Sequence, residues 1–155
     1  MKRSVIKNEE PGAKIFTMEN PENSFNCFLN VVIQTLWRIE GFIDVQRLLL
    51  SCNEIANPRK PVDEVFNALR RLFRQIKALE SGESANVLDL RREIFKATYG
   101  QNSFNLNAKA DAGEALNYIL EMLHTKLDKW VGETECKCEV HQAFHCSTGY
   151  LIRCR

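Results

Sequence analysis

The stretch NPENSFNCFLNVVIQTLW, residues 20–37, decides the fold of this 155-residue chain. A polar, turn-prone run leads to Cys27, and a long apolar run follows it directly. The apolar residues recur at the spacing that places them on one face of a helix, namely Phe28, Leu29, Val32, Ile33 and Leu36. Asn26 or Ser24 would cap this helix, so Cys27 is predicted at or beside its first turn.

A cysteine at the start of a helix allows two interpretations. Unpaired N–H groups and the positive end of the helix dipole favour the thiolate, which is the nucleophilic form of cysteine. Most lone cysteines, however, are small buried side chains without a chemical role. Position alone favours the second interpretation, because helix starts are common and catalytic sites are rare.

The sequence of this stretch resembles the cysteine box of the ubiquitin-specific proteases, which are papain-like deubiquitinating enzymes. The matching residues are Cys27, Phe28, Leu29, Asn30, Ile33, Gln34 and Leu36. The resemblance implies that Cys27 is the nucleophile and that Asn20, with Asn23 as the alternative, helps to form the oxyanion hole. It also implies that Gln34 binds substrate. The chain departs from the family at residues 24–26, where Ser-Phe-Asn replaces the usual Gly-Asn-Thr.

Composition limits the class of protein and its partners. Apolar residues make up 45% and charged residues 26% of the chain, as in ordinary globular proteins. The formal net charge of +1 gives no electrostatic reason to expect nucleic acid or an anionic membrane as a partner. No apolar run is long enough to span a membrane, and the basic start lacks the apolar segment of a secretory signal. The chain is therefore expected in the cytosol or the nucleus.

Periodicity predicts further amphipathic helices separated by polar loops. They cover residues 42–50, 61–79, 86–98 and 109–127, with Pro61 opening the second and Asn86 capping the third. Ile15 and Phe16 suggest a short strand or a packed arm before the cysteine box. The 61–79 helix carries basic residues that predict a solvated face, namely Arg70, Arg71, Arg74 and Lys77.

The helix at 109–127 carries the second part of the resemblance. From the residues alone, Asp111 is an acid at a helix start and Glu114 is a surface charge. The sequence DAGEALNYIL, however, is similar to the acidic box of the same protease family, in which this acid helps to hold the C-terminal tail of ubiquitin. The resemblance therefore implies a substrate-binding role for Asp111. Ala110 and Ala115 stand where the family usually has glutamine and phenylalanine.

The end of the chain, CKCEVHQAFHCSTGYLIRC at residues 136–154, is rich in cysteine and histidine. Crowded cysteines without a secretory signal are typical of a metal site in a reducing compartment. Cys138, His141 and Cys154 are predicted to bind a structural zinc ion, with Cys136 or Cys146 as a further ligand. The alternative is a set of reduced cysteines in a partly disordered tail. Alternating apolar residues predict a short hairpin here. His145 is expected at the surface, His124 on a helix face away from the leucines, and the remaining Cys52 in a structural or bystander position.

Together these patterns predict a mainly α fold, which by resemblance is the thumb-like helical lobe of a papain-like (α+β) cysteine protease. Residues 1–19 would form an N-terminal arm, 20–130 the helical lobe, and 131–155 a short β-hairpin or zinc-finger-like tail that is incomplete.

The predicted activity depends on a general base that the motifs do not supply. In the resembled family a histidine and its partner acid lie in a later β half, and none of the three histidines here matches that motif. The chain is therefore interpreted as a ubiquitin carboxyl-terminal hydrolase-like protein, with a cysteine nucleophile, that would hydrolyse poorly by itself. The alternative is a catalytically inactive module that serves as a structural or interaction subunit. The partners expected are ubiquitin or a ubiquitinated protein, and a larger protein assembly.

Overall fold

The computed structural model describes residues 15–56, 58–99, 104–127 and 138–144, and these residues are mainly helical, as predicted. In chain order the elements are β1 Thr17–Met18, α1 Cys27–Arg38, a 3-10 turn Glu40–Phe42, α2 Ile43–Ser51, α3 Pro61–Ala78, β2 Ser84–Ala85, α4 Leu88–Ala97, α5 Ala112–Leu127 and α6 Glu139–Phe144. The two short strands pair in parallel, with Thr17 opposite Ser84. Among the described helices, none is both long and apolar enough to cross a bilayer.

Helix α3 is the central element of the fold. It is 18 residues long and begins at Pro61, and the Asp63 carboxylate accepts the backbone N–H of Lys60 at 3.1 Å. This bond satisfies a donor that the start of a helix leaves without an intrahelical partner. The apolar face of α3 packs against α2, α4 and α5. Its buried apolar residues are Val65, Phe66, Ala68, Leu69, Leu72, Phe73 and Ile76.

Helix α1 joins this core through its C-terminal half. Trp37 is 2% exposed, and its ring lies 5.8 Å from Phe16, edge to face, and 5.5 Å from Phe73. Truncating a buried aromatic side chain of this kind typically costs about 3–5 kcal/mol. Helix α1 also packs against α5. The helix that begins at Cys27 is therefore firmly held along most of its length.

The solvated basic face predicted on α3 is wrong in part. Arg70 is completely buried, and its Nε donates a hydrogen bond to a carbonyl at the end of α2, so burial lowers the pKa of Arg70. Arg71 forms an ion pair with Asp89 of α4 at 2.7 Å, which raises the pKa of Arg71. Arg74 donates to the carbonyl oxygen of Cys52 at 3.1 Å. Arg71, Arg74 and Lys77 are exposed as predicted, so the prediction fails only at Arg70.

The hairpin predicted near the C-terminus is also wrong where it can be compared. Residues Glu139–Phe144 form helix α6 instead of a first strand. Val140 and Phe144 are four residues apart, so a helix places both on one face, and Phe144 packs against Phe42 with ring centroids 5.9 Å apart. A short alternation of apolar residues is compatible with either a strand or a helix, and in this structure the segment packs as a helix. The rest of the predicted hairpin lies outside the described residues, as does the predicted arm before residue 15.

Candidate functional site

Cys27 is the first residue of α1, and its side chain is exposed. Asn26 and Phe28 on either side of it are buried. The interpretation of Cys27 as a small buried side chain is therefore wrong. An exposed thiol at the N-terminal end of a well-packed helix lies where unpaired backbone N–H groups and the helix dipole favour negative charge.

The loop before Cys27 has an unusual backbone. Asn23 and Phe25 both have positive φ, at 60° and 51°, in the left-handed region that favours glycine. The N–H of Ser24 donates to the carbonyl of Pro21 at 3.1 Å, which closes a turn with Asn23 in its third position. Strained residues of this kind persist only where the surrounding structure holds them.

Arg91 of α4 supplies that support. Its side chain is 3% exposed, and its guanidinium donates five hydrogen bonds. One nitrogen bonds the carbonyl of Ser24 and, at 2.8 Å, the Oδ1 of Asn26. The other bonds the carbonyls of Asn105, Leu106 and Ala108 at 2.9–3.0 Å. The buried Arg91 thus fastens residues 20–26, the loop before Cys27 (the cysteine loop), to the segment that leads into α5.

Arg91 also interacts with Cys27 and Phe28. Burial lowers the pKa of Arg91, and the nearby Cys27 acts in the opposite direction. The guanidinium lies 5.5 Å from the ring centroid of Phe28 as well. The burial of Arg91 was not predicted from the sequence, because an amphipathic helical pattern does not distinguish a buried arginine from a solvated one.

Asn26 was predicted to cap α1 and Asn20 to help form the oxyanion hole, and the structure shows the contacts of both side chains. Asn26 occupies the position before α1 but makes no side-chain cap, because its Oδ1 accepts the hydrogen bond from Arg91. Asn20 is exposed, and its Oδ1 accepts a hydrogen bond from Ser24 Oγ at 3.1 Å. Of its two polar atoms, the amide nitrogen is the one that would donate a hydrogen bond to an oxyanion. Asn30 fixes the backbone beside it by donating to the carbonyl of Glu19 at 3.0 Å.

The predicted substrate-binding residues lie on the two helices next to this loop. Asp111 is exposed and caps α5, because its Oδ1 accepts the N–H of Glu114 at 2.9 Å. The segment just before Asp111 is the one that Arg91 ties to the cysteine loop. Gln34 is half-buried and lies two turns after Cys27 on α1, about 10 Å along the helix axis. The structure thus brings Asp111 and Cys27 to neighbouring segments.

A second cluster brings together part of the predicted metal site. Cys138 Sγ lies 3.4 Å from Nδ1 of His124 and 3.3 Å from Nδ1 of His141. His124 was predicted on a helix face away from the leucines, and its partner on that face is α6. Sequence periodicity could not show this, because it identifies an apolar face but not the segment that covers another one. Cys136, Cys146, Cys154 and His145 lie outside the described residues.

An exposed thiol at a helix start, beside a rigid loop and a buried cation, is an arrangement typical of cysteine hydrolases. Comparison with known proteins names the family. The model of the family described as ubiquitin carboxyl-terminal hydrolase matches residues 19–155, so this chain belongs to that family. Ubiquitin carboxyl-terminal hydrolase 54 of Rattus norvegicus is 28% identical over 131 residues, which are 82% of this chain. The chain spans 8% of the length of that relative.

Proposed function

We propose that this chain carries the nucleophile of a thiol-dependent deubiquitinase, and that the nucleophile is Cys27. The observation that carries the proposal is the exposure of Cys27 at the first residue of a buried helix, in a loop fixed by the buried Arg91. Membership of the ubiquitin carboxyl-terminal hydrolase family supplies the class of bond. The substrate would be ubiquitin joined through its C-terminal glycine to an amine.

In this proposal the Cys27 thiolate attacks the carbonyl carbon of the scissile peptide or isopeptide bond. The negative charge that develops on the carbonyl oxygen would be stabilised by the amide of Asn20 and by backbone N–H groups at the start of α1. The amine then leaves with a proton, and water hydrolyses the thioester. Both proton transfers need a general base, which in the resembled family is a histidine of a later β half. None of the three histidines of this chain matches the motif of that base.

We assign the flexible tail of ubiquitin to the surface between the cysteine loop and the start of α5. Asp111 is exposed there, and while one of its oxygens caps the helix, the other would accept a hydrogen bond from a donor on the tail. Gln34 lies further along α1 and would contact the tail at a position away from the scissile bond. An extended tail of about three residues spans the 10 Å that separates Gln34 from Cys27 along the helix.

The test is labelling by ubiquitin that carries a thiol-reactive electrophile in place of its C-terminal carboxylate. We expect a covalent adduct with the 155-residue chain, measured by intact mass, and its loss in Cys27→Ala. Cys52→Ala is the matched control, because Cys52 is a half-buried thiol at the end of α2 and should leave labelling unchanged. An adduct that persists in Cys27→Ala would overturn the assignment of the nucleophile.

A second function has its own support, namely a catalytically inactive module that binds other proteins. The observation in its favour is that both described histidines contact Cys138. A protein of this kind would bind ubiquitin without the adduct. Titration of isotope-labelled ubiquitin with the chain, followed by NMR, separates the two functions when labelling fails.

The partners in either case are ubiquitin or a ubiquitinated protein, together with a larger assembly. We do not assign nucleic acid or membrane as partners, since the formal net charge is only +1. The compartment that fits unpaired cysteines such as Cys27 and Cys138 is the cytosol or the nucleus. Expression with a fluorescent tag, followed by cell fractionation, tests that assignment.

A further inference from the structure

We propose that His124, Cys138 and His141 bind a zinc ion that fastens α6 to the C-terminal half of α5. His124 lies in α5, His141 in α6 and Cys138 directly before α6, and their nearest ligand atoms all lie within 4.8 Å of one another. The site is separate from the one at Cys27, and it stands whether or not the chain hydrolyses ubiquitin.

The distances suit one metal ion. In a tetrahedral zinc site with a Zn–S bond of about 2.3 Å and a Zn–N bond of about 2.0 Å, sulfur and nitrogen lie about 3.5 Å apart. The two S···N distances here are 3.4 Å and 3.3 Å. The imidazole rings of His124 and His141 are perpendicular, with centroids 4.5 Å apart, so both can turn a nitrogen toward the same point.

The surroundings of Cys138 favour a metal-bound thiolate. Its sulfur is fully buried, and the backbone N–H of His141 donates to it at 3.5 Å. Burying a thiolate costs free energy unless a cation compensates its charge, and a divalent ion would do so directly. The sulfur and two imidazole nitrogens form a donor set that selects zinc over magnesium or calcium, which prefer oxygen. Water or another donor would take the fourth position.

The shortness of α6 gives the ion a structural role. This helix has six residues, and helices of that length are not stable by themselves in water. On one side Phe144 packs against Phe42, and Gly41 lies close to the backbone of Ala143. On the other side the proposed zinc ion would hold Cys138 and His141 to α5. Zinc would therefore complete the attachment of α6 to the core.

The test uses the 155-residue chain, stripped of metal with a chelator and then titrated with zinc. We expect one zinc ion per chain by elemental analysis and a rise in melting temperature that magnesium does not produce. Substitution with cobalt should give the sulfur-to-metal charge-transfer band and the visible bands of a tetrahedral site. His124→Ala should weaken zinc affinity by more than about 100-fold, since even the loss of a group behind a ligand typically costs 10–100-fold.

Thr125→Ala is the matched control, because Thr125 is the exposed neighbour of His124 on α5 and should leave zinc affinity unchanged. Circular dichroism of each variant without metal checks that the helices form, and Cys138→Ser checks the cobalt charge-transfer band if His124→Ala does not fold. Two results would overturn the proposal: a wild-type chain that takes up no stoichiometric zinc, or zinc affinity and cobalt spectra that are the same in His124→Ala as in wild type.

Discussion

Cys27 and Cys138 are both free thiols, yet the fold places them in opposite surroundings. Cys27 is exposed at the first residue of α1. Cys138 is fully buried just before α6, with two histidines within 3.4 Å of its sulfur. An accessible thiol at a helix start suits attack on a substrate, whereas a buried thiol among imidazoles suits a metal ion. The surroundings, and not the residue type, separate the two roles.

The two regions are also held in different ways. One buried side chain, Arg91, fastens the cysteine loop with five hydrogen bonds. The cluster at Cys138 is supported by ring packing and by an ion pair between Lys126, two residues after His124, and Asp63 at the start of α3. A substitution of Arg91 alone should therefore destabilise the whole cysteine loop, whereas each single substitution near Cys138 should cause a smaller loss of stability.

The largest effect is expected from Arg91→Met. This change keeps most of the volume but removes the donors of five hydrogen bonds and leaves five buried or half-buried carbonyl and amide oxygens without them. We expect the free energy of unfolding to fall by about 3–5 kcal/mol, since bonds from a charged donor contribute more than neutral ones. Urea denaturation measures this loss.

Arg92→Ala is the control for Arg91→Met, because Arg92 is the exposed neighbour on the same helix. Its effect should stay within about 0.5 kcal/mol. Arg91→Lys should recover little stability, since an ammonium group cannot reproduce the planar fork of donors. Equal losses for Arg91→Met and Arg92→Ala would show that the loop does not depend on the buried guanidinium.

The next effect compares the two thiols directly. In the native chain at neutral pH, iodoacetamide should modify Cys27 at least about 100-fold faster than Cys138, because a buried thiol reacts only when the structure opens locally. Digestion and mass spectrometry at successive times give both rates. In concentrated guanidinium chloride the two rates should converge, which shows that the difference comes from the fold. Similar native rates would contradict the burial of Cys138.

A smaller effect is expected at the ion pair near the cluster. The bond to Lys126 and those to the N–H groups of Lys60 and Arg59 outweigh burial and lower the pKa of Asp63 from its ordinary value of 3.8. A lowered pKa in the folded state stabilises the fold above the unfolded value, and this stabilisation is lost as pH falls through the folded value. Asp63→Asn should therefore reduce the free energy of unfolding by about 1–3 kcal/mol at pH 7.

The pH dependence distinguishes this charge effect from a loss of packing. The difference in stability between wild type and Asp63→Asn should shrink as the pH is lowered below 3.8, where Asp63 itself takes up a proton. Lys126→Met should reproduce part of the loss at pH 7 but leave the bonds to the helix start. Thermal unfolding at several pH values measures both, and a difference that does not vary with pH would assign the effect to packing.

Much of the helical lobe was predictable from the sequence. Apolar residues at helical spacing gave α1, α3 and α5 within a few residues of their observed ends, because each helix buries one continuous stripe. Pro61 and Asp111 marked helix starts correctly, since they act on backbone groups close in sequence. The exposure of Cys27 was compatible with the pattern but did not follow from it.

The features that were missed depend on contacts between distant segments. Arg91 bonds Ser24 and Asn26, which lie more than 60 positions earlier in the chain, and His124 contacts Cys138, which lies 14 positions later and directly before a different helix. Arg70 was predicted on a solvated face, although the carbonyl groups at the end of α2 cover it. Local periodicity contains no information on such partners. The role of Arg91 at the cysteine loop, and the grouping of His124 with Cys138 and His141, could therefore be seen only in the structure.

The smallest effect tests the backbone of the cysteine loop. Asn23 has a φ of 60° in the third position of its turn, and its side chain is exposed, so little packing is lost when it is changed. Asn23→Ala should lower the free energy of unfolding by about 1 kcal/mol, because alanine is strained in the left-handed region. Asn23→Gly should stay within about 0.5 kcal/mol of wild type. Urea denaturation of both variants measures the difference, and equal stabilities would mean that the turn before Cys27 does not hold this backbone angle in solution.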